Sequence, residues 1–159
     1  MDSIYPFFRW ADQTWVHNFI SDSKWLFPAI EGVHIVALAL LFGAVIVLNF
    51  RLLGIMQRQR PAADLGRELA PWIFSSLVII LTTGVLLFFS EAARSFNSGP
   101  FRLKMVLLVS AIVFHYAVSK RIVYRKSGQS NPLVDAPVAV LGILLWLGVG
   151  LAGRAIGFF

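Results

Sequence analysis

An all-α fold, a four-helix transmembrane bundle with an N-terminal interfacial amphipathic helix, is predicted by three observations. The 159-residue chain is 58% hydrophobic and 14% charged, with a mean hydropathy of +0.76, whereas charged residues make up about 25% of ordinary soluble domains. Its apolar residues gather into four long runs separated by short basic or polar connections. A proline lies at or just before each expected helix start, at Pro28, Pro71, Pro100 and Pro137, where a first helical turn tolerates the ring. The length is that of about one domain. With no long linker and no internal repeat, residues 1–159 read as a single integral membrane domain.

A spanning helix needs about 20 apolar residues, each rising about 1.5 Å across a core about 30 Å thick. The four runs place spans at about 26–50, 72–89, 103–118 and 136–159. The third is short unless Arg102, Lys104 and Lys120 at its ends extend their charges to the interfaces. Asp135, among Ser and Asn residues, marks an N-cap region for the fourth.

Residues 1–25 carry acids and aromatics where a cleavable leader has basic residues, so the first span is expected to stay in place. Phe8, Trp15 and Phe19, with Val16 and Ile20, recur at helical spacing, and Asp12, Gln13 and Asn18 occupy other faces. That pattern predicts a helix lying in the interface, anchored by Trp10, Trp15 and Trp25. An irregular arm with belt aromatics is the alternative.

Lysine and arginine in short loops set orientation. The first and third connections, with the helix ends beside them, carry eight: Arg51, Arg58, Arg60, Arg67, Lys120, Arg121, Arg125 and Lys126. The opposite side carries six: Arg9, Lys24, Arg94, Arg102, Lys104 and Arg154. Both termini are therefore expected to face outward. The net charge of +6 flanks apolar runs and forms no patch interleaved with exposed aromatics, so nucleic acid is not an expected partner. The absence of cysteine excludes covalent c-type haem, thiolate zinc, iron–sulfur clusters, disulfides and a lipoprotein anchor.

Ionisable groups inside a span are costly unless paired, which makes each a functional candidate. In span one, Glu31 and His34 share a face that Leu38 and Leu41 continue, while Gly32, Ala39 and Gly43 lie nearly opposite. With Glu91, Arg94, Arg102, Lys104 and Arg154 they fall in the outer third of the membrane and form one candidate site. One reading of it is a structural ion-pair layer, Glu31 or Glu91 with Arg154, sharing a buried polar level. A second is a non-covalent haem b, with His34 on the iron and Arg154, Arg102 or Lys104 holding the propionates. A third is a metal site that starts from the Glu31-x-x-His34 pair and adds Glu91 and His115.

His115, in span three, counts to about 10 Å deeper than His34. It is a second haem-ligand candidate or a neutral imidazole bonded to Ser75, Ser76 or Asn49. His17 reads as solvated on the surface helix. Gly142, Trp146, Gly150, Gly153 and Gly157 form a close-packing stripe on span four, against a helix or, alternatively, a flat ring. No phosphate loop, nucleophile triad or other hydrolytic or transferase machinery is present, so any enzymatic role is limited to electron transfer.

The segments Trp25-Leu26-Phe27-Pro28-Ala29-Ile30-Glu31-Gly32-Val33-His34, Arg51-Leu52-Leu53-Gly54, Phe89-Ser90-Glu91-Ala92, Phe101-Arg102-Leu103-Lys104, Phe114-His115 and Ala152-Gly153-Arg154 together resemble a family of small four-helix bacterial membrane proteins. The plan is also loosely similar to the membrane domain of copper-resistance D proteins and to small b-type cytochromes. Those likenesses imply copper handling or electron transfer, although the four histidines of a two-haem cytochrome and the methionine motifs of a copper importer are both missing. A bacterial source implies a multi-pass protein of the inner membrane with periplasmic termini. The expected function is haem-b electron transfer, with copper handling or a structural accessory subunit as alternatives. Small-residue faces on spans one and four predict a homo-oligomer or a subunit of a larger membrane complex.

Overall fold

The computed structural model describes residues 13–15, 19–20, 23–56, 59–90, 99–124 and 132–156. Four helices make up the architecture: α1 (Leu26–Leu52), α2 (Ala62–Ser90), α3 (Gly99–Tyr124) and α4 (Pro132–Ala155). Each is long and apolar enough to cross a membrane, which gives an all-α multi-pass membrane fold with the lipid bilayer as its solvent. Most of the expected interfacial helix, together with His17, Glu91, Arg94 and Gly157, lies outside the described residues. Within that arm Trp15 stacks on Phe19 with centroids 5.1 Å apart.

α1 begins where the Leu26 N–H donates to Ser23 Oγ at 3.3 Å, and Pro28 sits in its first turn, where an amide donor has no helical acceptor. It ends at Gly54, whose φ of 69° is open to glycine without a Cβ penalty. Arg51 Nε then donates to the Arg60 carbonyl at 2.6 Å, tying the connection back onto α1. Arg60 pairs with Glu68 on α2 at 3.2 Å, in the open, so the pair adds orientation more than stability.

α2 starts ten residues earlier than the expected 72 and contains Pro71 in its interior, so this proline does not mark a start. The first turns carry Asp64, Arg67 and Glu68 beside buried Ala63 and Leu65, an amphipathic pattern that hydropathy alone does not read as a span. Pro71 removes the amide donor that the carbonyl of Arg67, four residues earlier, would accept from in an unbroken helix. α3 likewise extends beyond 103–118: the flanking cations are straight-chain helix formers, and they lengthen the helix itself. α4 runs from Pro132, so Asp135 belongs to the first turn and is buried there, next to the positive end of the helix. Pro137 is correspondingly inside the helix.

The helices alternate in direction. His34 near the start of α1 meets Thr83 near the end of α2, and Lys104 near the start of α3 lies against Gly153 near the end of α4. α1 packs most closely on α2 and α3 on α4; the α1–α4 seam is thinner and the α2–α3 seam thinner still. The end with the start of α1 and the finish of α4 is termed the terminal end, and the other the hairpin end. Leu41, Val45, Leu77, Ala111 and Trp146 fill the middle. Lipid tails are as apolar as these side chains, so close dispersion contact, helped by Ala37, Ala44 and Ala111, holds the helices together.

Part of the glycine stripe of α4 faces neighbouring helices: a Cβ at Gly142 would meet Asn49 Oδ1 at 3.0 Å and one at Gly153 would meet Lys104 Cε at 3.6 Å, whereas Gly150 has open space beside it. Gly148, outside the stripe, is also close-packed, its Cβ position 3.1 Å from Leu107. The small face of α1 is different: Gly32 and Gly43 have open space beside them, and Ala39 is exposed.

A candidate cofactor site at the terminal end

His34 stands about 12 Å along α1 from Leu26, eight residues at about 1.5 Å each. It is buried, and its Nδ1 lies 2.7 Å from Thr83 Oγ1. The Thr83 hydroxyl also lies 2.6 Å from the Ile79 carbonyl, which can only accept. That short contact favours directing the one hydroxyl hydrogen to the Ile79 carbonyl, so that Thr83 accepts from His34. That assignment puts the imidazole proton on Nδ1 and leaves the Nε2 lone pair available. Among the described residues Nε2 has no hydrogen-bond partner, yet no buried side-chain nitrogen is unsatisfied, so this atom opens into the adjoining cavity. Gly84, next to Thr83, brings α2 within 3.5 Å of His34 Cε1, measured from the Cβ it lacks.

The cavity beside His34 has a volume of about 350 Å³ and takes walls from all four helices. Leu41, Ile80, Leu108 and Trp146 make its apolar floor and sides, and Lys104 is its one charged wall. A second space of about 320 Å³ shares His34, Gly84, Lys104 and Gly153 with it and continues to a mouth at Glu31 and Arg154. Phe88 and Phe101 stack at 5.7 Å and 20° between α2 and α3, on the wall common to both spaces. Volumes of this size lie at the lower end of the range for small-molecule sites, about 300–1,000 Å³.

Of the residues selected from sequence, His34, Lys104, Glu31 and Arg154 are brought together. The first two line the inner cavity, and the last two lie at the mouth. Glu31 and Arg154 are both exposed, so they form a rim and not the expected buried polar level. Arg102 is exposed on α3 and contributes to neither wall.

His115 is not brought to this site. It lines a separate space of about 260 Å³ with Gly66, Ala70, Ile73 and Phe74 of α2. Eleven residues separate it from Lys104, about 16 Å along α3, so His34 and His115 do not face one iron. Asn49 donates to the Val45 carbonyl of its own helix at 2.8 Å, and Ser75 to the Pro71 carbonyl at 2.6 Å. Among the described residues no group of three His, Asp or Glu side chains is placed to hold a metal ion.

Thr83, Gly84 and Trp146 belong to the site without having been selected as cofactor residues. The adjacent Thr82 and Thr83 in an otherwise apolar run were the available signal for the first. Thr82 bonds the Val78 carbonyl of its own helix while Thr83 also serves α1, a distinction that depends on how α2 is rotated.

Residues 7–159 match the model of a family described as a family of unknown function (DUF6644), and the chain belongs to it. No curated protein and no solved structure matches the chain. The likenesses to copper-resistance D membrane domains and b-type cytochromes therefore rest on helical plan and histidine placement alone.

Proposed function

We propose that the protein binds a non-covalent b-type haem in the terminal-end cavity and serves as a one-electron carrier or as a subunit that carries electrons. The observation that supports this reading is the chain Ile79, Thr83, His34, whose short contacts favour a proton on Nδ1 and an Nε2 lone pair beside an apolar space with a cation on its wall. Iron ligation uses such a nitrogen, and a hydrogen bond on the far side of the ring fixes its direction and basicity. Lys104 within, and Arg154 at the mouth, supply positive charge for propionates, so both ends of an amphipathic cofactor have partners. When bound, the haem supplies the redox change; the chain orients it and keeps water away. By its basic loops the site faces the periplasmic side of a bacterial inner membrane, and the open small-residue face of α1 suits association with a second copy or a larger membrane complex.

The test is the visible spectrum of protein purified from cells supplied with haem precursor. Reduced-minus-oxidised b-type bands are expected, abolished by His34→Ala and retained by His115→Ala. Glu31 and His34 line one space, Glu31 at its mouth and His34 within, so a colourless protein holding stoichiometric copper would replace this reading with copper handling. A protein with neither would be a structural accessory subunit.

A further inference from the structure

We infer that the cavity is loaded sideways from the bilayer, through a window between α2 and α3, by a carboxylate-headed amphiphile whose head settles at Lys104. This rests on the reading above that the cavity is the ligand site, but not on haem being the ligand.

The α2–α3 seam is the thinnest of the four in the bundle. Leu81 and Val85 of α2 and Met105 of α3 line the cavity and are nevertheless 42%, 53% and 44% exposed. A side chain that borders an interior space and the outer surface at once is the jamb of an opening. Val85 and Leu81 lie five and nine residues before the end of α2, about 8 and 13 Å below it. At that depth the surroundings of a spanning helix are acyl chains, not water. The stacked Phe88 and Phe101 close the same seam one turn nearer the terminal end, so the opening faces lipid and not the aqueous phase above.

The head group follows from Lys104. Lys104 runs along the cavity wall beside Gly153, where a Cβ would be in ordinary contact with it, 3.6 Å from Cε and 3.7 Å from Nζ. Among the described residues no carboxylate pairs with it. An ammonium group in an apolar wall is costly without a counter-ion. A ligand bringing one negative charge supplies it, and one carboxylate matches one ammonium.

The experiment uses the full chain in phosphatidylcholine vesicles. Trp10, Trp15, Trp25 and Trp72 are changed to Phe, leaving Trp146, which is buried on the cavity wall, as the sole tryptophan, excited selectively over the tyrosines. The probe is stearic acid with a nitroxide far along its chain, compared with its methyl ester and with a phosphate-headed analogue. Saturable quenching by the acid is expected, with the ester at least tenfold weaker. Lys104→Gln should remove that difference, and Val85→Phe with Met105→Phe should slow the onset of quenching at least tenfold. Equal quenching by acid and ester would overturn the proposal without relying on any variant's folding. So would an onset unchanged in the Phe-filled variant, or a preference for phosphate. b-Type bands dependent on His34 without acid-specific quenching would leave haem binding standing and remove lateral loading. The reverse result would remove haem and keep the window.

Discussion

Replacing Thr83 with valine keeps the β-branched shape of the side chain and deletes the oxygen that lies 2.7 Å from His34 Nδ1. The Ile79 carbonyl loses a side-chain donor at 2.6 Å but remains an acceptor in the α2 backbone ladder, so that part of the loss is small. The His34 Nδ1–H is left buried with no acceptor on α2, which costs about 1–3 kcal/mol. Moving the proton to Nε2 exchanges the unmet donor for an unmet acceptor at Nδ1 and also removes the lone pair from the cavity. Either outcome weakens ligation, and loss of such an orienting partner lowers metal affinity about 10–100-fold. Spectral titration of haem into Thr83→Val and Thr83→Ser, alongside thermal unfolding in detergent, measures both effects. Serine keeps the hydroxyl and should recover most of the affinity. Valine binding haem within twofold of wild type, with stability unchanged to about 0.5 kcal/mol, would refute the hydrogen-bond argument.

Arg102→Gln should leave haem affinity within twofold, because Arg102 lies outside the cavity walls, and a tenfold loss in the same titration would contradict that placement. Gly142→Ala should destabilise by about 1–3 kcal/mol, since its methyl would sit 3.0 Å from Asn49 Oδ1 and 3.4 Å from Phe114 Cε1. Gly43→Ala meets nothing within 4 Å and should be neutral or stabilising by up to about 1 kcal/mol in the isolated bundle. If it instead disrupts an oligomer seen by size-exclusion chromatography in mild detergent, the open face of α1 is an interface between chains.

Hydropathy was sufficient to locate four helices, because about 20 apolar residues in a row have few other places to go. The helix α2 begins ten residues before the expected span, because Asp64, Arg67 and Glu68 interrupt the apolar run without interrupting the helix. His34 and Lys104 were legible as charges or potential ligands in apolar surroundings, and so was the chemistry they favour. Their shared level was legible too, and so was the greater depth of His115; that Arg102, two residues from Lys104, stays out of the same space was not. Nor was the role of Thr83, whose neighbour Thr82 is identical in type and bonds only its own helix. In a soluble protein the amphipathic stripe of a helix announces which face turns inward. Here the spans are apolar on every side, as lipid-facing and core-facing surfaces are chemically alike. The rotation of each helix about its axis was therefore decided by tertiary packing, most tightly where Gly142 receives Asn49, and with ordinary contact where Gly84 faces His34 and Gly153 faces Lys104.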